Sequence, residues 1–201
     1  GSPLLTGAAL PPYSAEAAEA YAWRRFGPSH AHHMRIMQEI TEVLGESYAP
    51  RRVIDLGCGP GSGLVAAAQI WPGSVRELVG VDTSAAMRGA ADVLLAPDEE
   101  AQLVLEAGKD DAPSVRLEQS LDNVCSNAAK STPGFDLAII SSTLSELGSD
   151  IERAAAVQSL WSSLEDGGVL IVQEHGGAIG THFPTVCPQN HFSLGLPQLC
   201  Q

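Results

Sequence analysis

Val53-Ile-Asp-Leu-Gly-Cys-Gly-Pro-Gly-Ser-Gly63 reads as the end of a buried strand, a glycine turn and the opening of a helix. An apolar β-run reaches an acidic residue, Asp55; Gly57, Gly59 and Gly61 follow at alternate positions, and a helical run begins near Ser62. Glycines in such a turn allow positive φ and let a ligand approach the backbone closely. They do so at the sheet edge where open α/β folds bind their ligands. The spacing is G-x-G-x-G, which differs from the G-x-G-x-x-G of dinucleotide folds. Asp55 would repel a pyrophosphate, whereas it suits the cationic amino-acid end of S-adenosylmethionine. With Cys58 as a small filler in the turn, the set Asp55, Gly57, Cys58, Gly59 and Gly61 is expected to bind that cofactor.

A second element strengthens this reading. Val79-Gly-Val-Asp82 ends the next β-run in a carboxylate, 21 residues beyond Gly61, where an acidic side chain can accept both ribose hydroxyls. Thr83 follows, Ser84 is placed to cap a helix, and Met87 to lie against an adenine. Leu121 and Asp122, after the third strand, are assigned to the adenine edge. Ser141, at the end of the fourth, completes the cofactor-binding set.

Outward from the loop, β-rich runs alternate with helical ones, the pattern of a mainly parallel sheet wrapped by helices. Strands are expected at Arg52–Leu56, Glu77–Val81, Ser114–Glu118, Leu137–Ser141 and Gly168–Gln173. Helices are expected at Gly63–Ile70, Ala85–Leu95, Leu121–Lys130 and Ile151–Leu164. The acidic, Gly/Pro-punctuated stretch Ala96–Pro113 reads as a surface insertion with a helical turn around Glu100–Ala107. Before the core, Ser14 caps a helix that Gly27-Pro28 should stop, and a second helix should run from Ser29 to Leu44. The fold class is thus α/β: a Rossmann-like class I S-adenosylmethionine-dependent methyltransferase core. Residues 1–50 form an N-terminal helical module, 51–176 the core, and 177–201 a shortened, irregular tail containing Cys and Pro.

The 201 residues are enough for one α/β domain with a core. No apolar run approaches the roughly 20 residues of a membrane span, and the first residues lack a secretory signal. A soluble chain without a membrane partner is expected. A net charge of −13 argues against a broad nucleic-acid surface and against a DNA partner. The deficit lies downstream, because residues 1–52 balance five arginines (Arg24, Arg25, Arg35, Arg51, Arg52) against five acids and add His30, His32 and His33. Any RNA contact is therefore expected in the N-terminal part, although scattered charges on a solvated helix would look the same. The four cysteines, Cys58, Cys125, Cys187 and Cys200, are too widely spaced for a compact disulfide framework and read as thiols.

Several stretches carry a family resemblance. They are Gly57-Cys-Gly-Pro-Gly-Ser-Gly-Leu64 with Trp71 and Val81-Asp-Thr-Ser84, and Tyr13-Ser-Ala-Glu-Ala-Ala-Glu-Ala-Tyr21 followed by Arg25. To these are added Ser142-Thr-Leu-Ser-Glu-Leu147 with Leu160-Trp161, and Leu170-Ile-Val-Gln-Glu-His-Gly176. Together they resemble the methyltransferase-like assembly factors of the mitochondrial small ribosomal subunit, the family that includes methyltransferase-like protein seventeen. The resemblance implies a place in the mitochondrial matrix and contact with the rRNA and proteins of the maturing small subunit. It also implies cofactor binding by the matching loop and an iron–sulfur cluster on cysteines after the core. Here the chain departs from the family: its tail offers Cys187 and Cys200, whereas such a cluster takes four ligands. His182 or His191 could complete a mixed site, and Cys187-x-x-x-His191 is a spacing zinc accepts. Two unpaired thiols in an irregular tail is the plainer alternative.

The residues leave catalysis open. Methyl transfer needs a nucleophile aimed at the sulfonium methyl and a base or polar clamp, usually at the end of the fourth strand. That position reads Ile140-Ser-Ser-Thr143, hydroxyls without a good base. Glu146, Glu174 and His175 border the same edge, as acid–base groups or simply as polar groups at a helix start and a strand end. Two functions follow: a methyltransferase-like assembly factor or component of the mitochondrial small subunit, inactive or weakly active, or a working methyltransferase acting on RNA or a small molecule.

Overall fold

The computed structural model describes residues 13–96, 112–127 and 134–174. Its five strands are β1 (Arg52–Leu56), β2 (Glu77–Val81), β3 (Ser114–Glu118), β4 (Phe135–Ser141) and β5 (Leu164–Gln173). They form one sheet in the order β3-β2-β1-β4-β5, and every neighbouring pair is parallel. The helices are α1 (Ala15–Leu44), α2 (Ser62–Ile70), α3 (Ala85–Leu95), α4 (Leu121–Asn127) and α5 (Asp150–Ser162), with a 3₁₀ turn at Leu144–Glu146. The expected turn around Glu100–Ala107 lies outside the described residues, as do His182, Cys187, His191 and Cys200.

Side chains alternate across a strand, and the two faces of the sheet separate by that rule. Val53, Leu78, Leu137 and Ile139 pack on one face with α1, α2 and α3. Ile54, Val79, Ala138 and Ile140 pack on the other, with Leu160 of α5 and Val124 of α4. Both faces being covered explains why the central strands read as near-continuous apolar runs. Asp55 shares the phase of Val53 and is carried beneath α2, whose residues Ser62 to Ala68 are all buried. A carboxylate held under a helix in this way is costly without a purpose.

Two expectations change. The first concerns α1, which runs unbroken through Gly27-Pro28. The clash that normally pushes a pre-proline residue out of the α region involves its Cβ, which Gly27 lacks. The tertiary contacts of α1 then outweigh the hydrogen bond lost at Pro28: Met37 and Ile40 join the core, and His30 Nε2 lies 2.8 Å from Gln69 Oε1 of α2. A helix-interior proline still costs stability, so Pro28→Ala should raise the urea midpoint by the equivalent of about 1–3 kcal/mol. An unchanged or lower midpoint would mean that packing of the ring, or its stiffening of the unfolded chain, outweighs the restored N–H.

The second change is at β5, which begins at Leu164 rather than Gly168. Phe135 pairs with Leu164, but Leu137 pairs with Val169, so the intervening residues form an irregularity around Gly167, at φ +84°. The regular ladder therefore starts close to the expected Gly168. The helix after β4 is set by a capping box, in which Ser149 and Glu152 reciprocally satisfy each other's backbone N–H groups. Among the described residues no helix is long and apolar enough to cross a membrane.

Candidate functional site

The strand order reverses between β1 and β4, and the loops leaving their carboxyl ends diverge there, as at the ligand crevice of open α/β sheets. The loop after β1 is fixed by Gly57 N and Cys58 N donating to Val81 O at 2.7 and 3.1 Å, and by Gly61 N donating to Cys58 O at 2.9 Å. Gly57, Gly59 and Gly61 take φ of +75°, +51° and +86°. Their duties differ. Gly57 backs onto Thr143 so closely that a Cβ would overlap its side chain, while a Cβ on Gly61 would meet Leu95 and Ala91 of α3. Gly61 therefore admits α3 to the loop, and Gly57 brings the ends of β1 and β4 together.

The cleft at this reversal has a volume of about 250 Å³. One wall comes from the sheet and its loops: Asp55, Gly57, Cys58, Gly59, Ser141 and Gln173. The other comes from α1, through Tyr21, Arg25, Ser29, His32 and His33. These positions recur at four-, seven- and eight-residue steps along one helical face, and that face exists only because α1 does not break at Gly27-Pro28. The sequence reading used the arginines and histidines for charge and missed them as a wall. The helical periodicity was the available signal, obscured by taking Gly-Pro as a stop.

Asp82 lies outside the cleft lining but is tied to it. Its Oδ2 accepts from Gly59 N at 2.9 Å and its Oδ1 from Ser84 N at 2.8 Å. Each oxygen keeps a lone pair for a further donor. Of the other assigned residues, Thr83 is exposed, Met87 is buried, Leu121 is half-buried and Asp122 exposed, and none lines the cleft. At the end of β4, Ser141 Oγ donates to Gln173 Oε1 at 2.8 Å, and Thr143 Oγ1 lies 3.2 Å from Leu56 O and 3.1 Å from Ser141 O. Ser142, also in the cleft lining, takes φ +55°, a left-handed conformation costly for a side chain with a Cβ. Glu174 Oε1 accepts from Leu144 N at 2.6 Å, a cap on the 3₁₀ turn rather than a free acid.

Acidic groups dominate the electrostatics. Burial, then the charge of Asp82, pushes the Asp55 carboxyl up to about 7. Glu146 is also raised, by desolvation and then by Asp82 and Glu174. Burial lifts the Cys58 thiol far above its ordinary range, which makes it a filler and not a nucleophile. His33, by contrast, is pushed down to about 4, chiefly by burial, so it is neutral at physiological pH. Crowded carboxylates at the sheet's edge call for a cation or a donor-rich ligand.

Asp55 has a measurable signature. Between the ordinary carboxylate range and pH 7 the folded chain holds a proton that the unfolded chain has released. Stability present below pH 4 is therefore lost as pH rises toward 7, and changes no further above it. The loss is on the order of 4 kcal/mol. Asp55→Asn should flatten this limb of the urea midpoint against pH and stabilise the ligand-free chain at pH 8. A parallel pH profile in the variant would show that Asp55 is not the titrating group.

No group of three or more His, Cys, Asp or Glu suited to a metal occurs among the described residues. Cys58 is buried in the loop, whereas Cys187 and Cys200 lie outside the described residues.

Residues 15–186 match the family model described as mitochondrial small ribosomal subunit Rsm22. The mitochondrial ribosome assembly protein METTL17 of Homo sapiens is 34% identical over 134 residues, covering 67% of this chain and 26% of that protein. Trans-aconitate 2-methyltransferase of Rhodococcus jostii strain RHA1 is 38% identical over 84 residues, covering 42% of this chain and 29% of that one. Among solved structures, a protein of Methanococcus maripaludis assigned to the S-adenosyl-L-methionine-dependent methyltransferases superposes with a TM-score of 0.54 at 18% identity. It covers 82% of this chain and 65% of its own, and at that identity the likeness bears on the fold alone. The chain spans a little over a quarter of the length of the two curated relatives.

Proposed function

This chain belongs to the mitochondrial small ribosomal subunit Rsm22 family, and on that premise we propose that it is the S-adenosylmethionine-binding, methyltransferase-like core of a factor acting on that subunit. The observation that carries the reading is the family match over residues 15–186 laid on a fold whose glycine loop opens at the strand reversal. Residues 51–176 are the cofactor-binding core, residues 1–50 the module that walls its cleft, and 177–201 the tail. The subunit's rRNA and proteins in the matrix are the partners. RNA contact falls to the arginine-bearing N-terminal part, because the core is acidic.

Asp55, Gly57, Cys58 and Gly59 would hold the amino-acid end of the cofactor, and Asp82 the ribose. Thr83, Met87, Leu121 and Asp122 would border the adenine beyond Gly61, and Ser141 would face the sulfonium side. When bound, the cofactor supplies an electrophilic methyl group. The chain's own residues supply acceptors for its hydroxyls and a negative surface for its positive charge. They offer hydroxyls and no good base beside it. The strained Ser142 favours a second reading, methyl transfer to RNA or to a small molecule, since such strain gathers at functional sites.

Asp82→Ala removes both ribose acceptors and loosens Gly59, so S-adenosylmethionine affinity should fall by roughly a hundredfold or more in calorimetry. The unaltered chain should co-sediment with small-subunit particles, and small-subunit assembly that survives Asp82→Ala would show that catalysis is not the essential role. Labelled methyl transfer to naked RNA or a metabolite, with no co-sedimentation, would sink the assembly reading in favour of the enzyme.

A further inference from the structure

Trp23 is 83% exposed, more than any other large apolar side chain among the described residues, and it takes no part in the cleft. By helical phase it lies on the flank of α1 opposite the wall formed by Tyr21, Arg25 and His32. Its neighbours one turn either way, Ala20 and Gly27, are exposed and too small to cover the indole. A helix that docks in a protein groove presents apolar side chains at three-, four- and seven-residue steps. Around Trp23 those steps hold Glu19, Ala20, Gly27 and His30, and Phe26 is turned to the core. The ring therefore stands as an isolated plane, without the apolar stripe that a partner helix or a lipid surface needs.

The charge beside it is equally uneven. From residue 20 to 38, α1 carries Arg24, Arg25 and Arg35 and no acidic residue, in a chain of net charge −13. Arg52 and Arg116 are engaged by Glu77, and Arg153 by Asp150. Arg24, in contrast, is exposed and has no ion pair among the described residues. It shares a ridge of the helix with Arg35, ~16 Å further on. The pair that Arg35 makes with Glu39 is itself exposed and weakly held. An aromatic plane beside exposed guanidinium groups suits a single nucleic-acid strand, whose bases stack on the ring while its phosphates meet the cations. We infer that this outer face of α1 binds an unpaired stretch of RNA, with a base on Trp23 and the backbone running past Arg24 toward Arg35. This rests on the reading of the N-terminal part as the RNA contact, and it adds which face is used and which form of RNA it takes. A duplex is disfavoured, because its base faces are already stacked on one another.

The test measures binding of an end-labelled, mixed-sequence oligoribonucleotide of about 12 nucleotides, alone and annealed to its complement, by fluorescence anisotropy on the full chain. The single strand should bind roughly tenfold tighter than the duplex and quench tryptophan emission, a quenching that Trp23→Ala removes. That variant should bind the single strand about tenfold more weakly and the duplex within about twofold of the parent. Arg24→Gln should lower the slope of log affinity against log salt by about 0.7. Both side chains are exposed, so both variants should keep the parent's urea midpoint. Equal binding of strand and duplex, or parental affinity in Trp23→Ala, would overturn the stacking surface. Release of Trp23→Ala from small-subunit particles with its RNA affinity intact would give this face to a protein instead. Binding of neither form by the unaltered chain would overturn the RNA reading itself.

Discussion

Gly57→Ala is expected to lower stability by about 3 kcal/mol and to abolish nucleoside binding. At φ +75° any Cβ is strained, and this one would stand 2.8 Å from Thr143 Cβ and closer still to its Oγ1 and Cγ2. Rotating Thr143 cannot relieve contact with a Cβ that is fixed to the backbone. Movement of Thr143 would also disturb the hydroxyl that lies between Leu56 O of β1 and Ser141 O of β4, the two strand ends that frame the cleft. Pairing Gly57→Ala with Thr143→Gly should recover the steric part and leave the backbone part, a coupling of about 1–2 kcal/mol in a double-mutant cycle. An alanine variant with the parent's urea midpoint and affinity would refute the close approach.

Ile139→Ala should cost about 4 kcal/mol, a fall in Tm of roughly 10 °C. Ile139 is fully buried at the middle of β4, paired to Asp55 on one side and to Ile171 on the other. Its Cδ1 would lie 3.4 Å from a Cβ on Gly63, against the turn of α2 that shelters the Asp55 carboxylate. The cavity left by truncation is thus flanked by close-packed strands that cannot collapse into it, at the spot where dryness raises the proton affinity of Asp55. Water entering there would also weaken the loss of stability expected between pH 4 and 7. Val172→Ala, on the exposed edge strand β5, should cost less than about 1 kcal/mol. Similar losses at the two positions would contradict the packing described.

Which parts of this were legible beforehand follows from where local sequence and tertiary force agree. The bounds of β1, β2 and β3 were readable residue for residue, because each is a short β-rich run closed by a polar or glycine turn. The glycine loop was readable because positive φ admits few residue types. Pro28 was misjudged because its penalty is local, while the contacts that outweigh it, with α2 some forty residues on, are not. The same error hid the cleft's second wall. Gly61 was grouped with the cofactor residues by spacing alone, and only the packing of Leu95 and Ala91 reveals its service to α3. The burial of Asp55 was implicit in strand alternation, yet its elevated proton affinity depends on α2 lying directly over it, which no local pattern states.

The pairing of β1 with β4 has a consequence in time. Val53 lies beside Leu137, eighty-four residues later in the chain, with two strands and three helices made in between. A ribosome adding about 5–20 residues per second takes several seconds to cross that interval. Throughout it the glycine loop exists without the neighbour that closes its cleft. The lining of the cleft is not all made until synthesis has passed Gln173 of β5, and its assembly waits on the long-range pairing that is the slow step for parallel sheets. A bound nucleoside on this chain would thus certify a finished fold before anything downstream engages it.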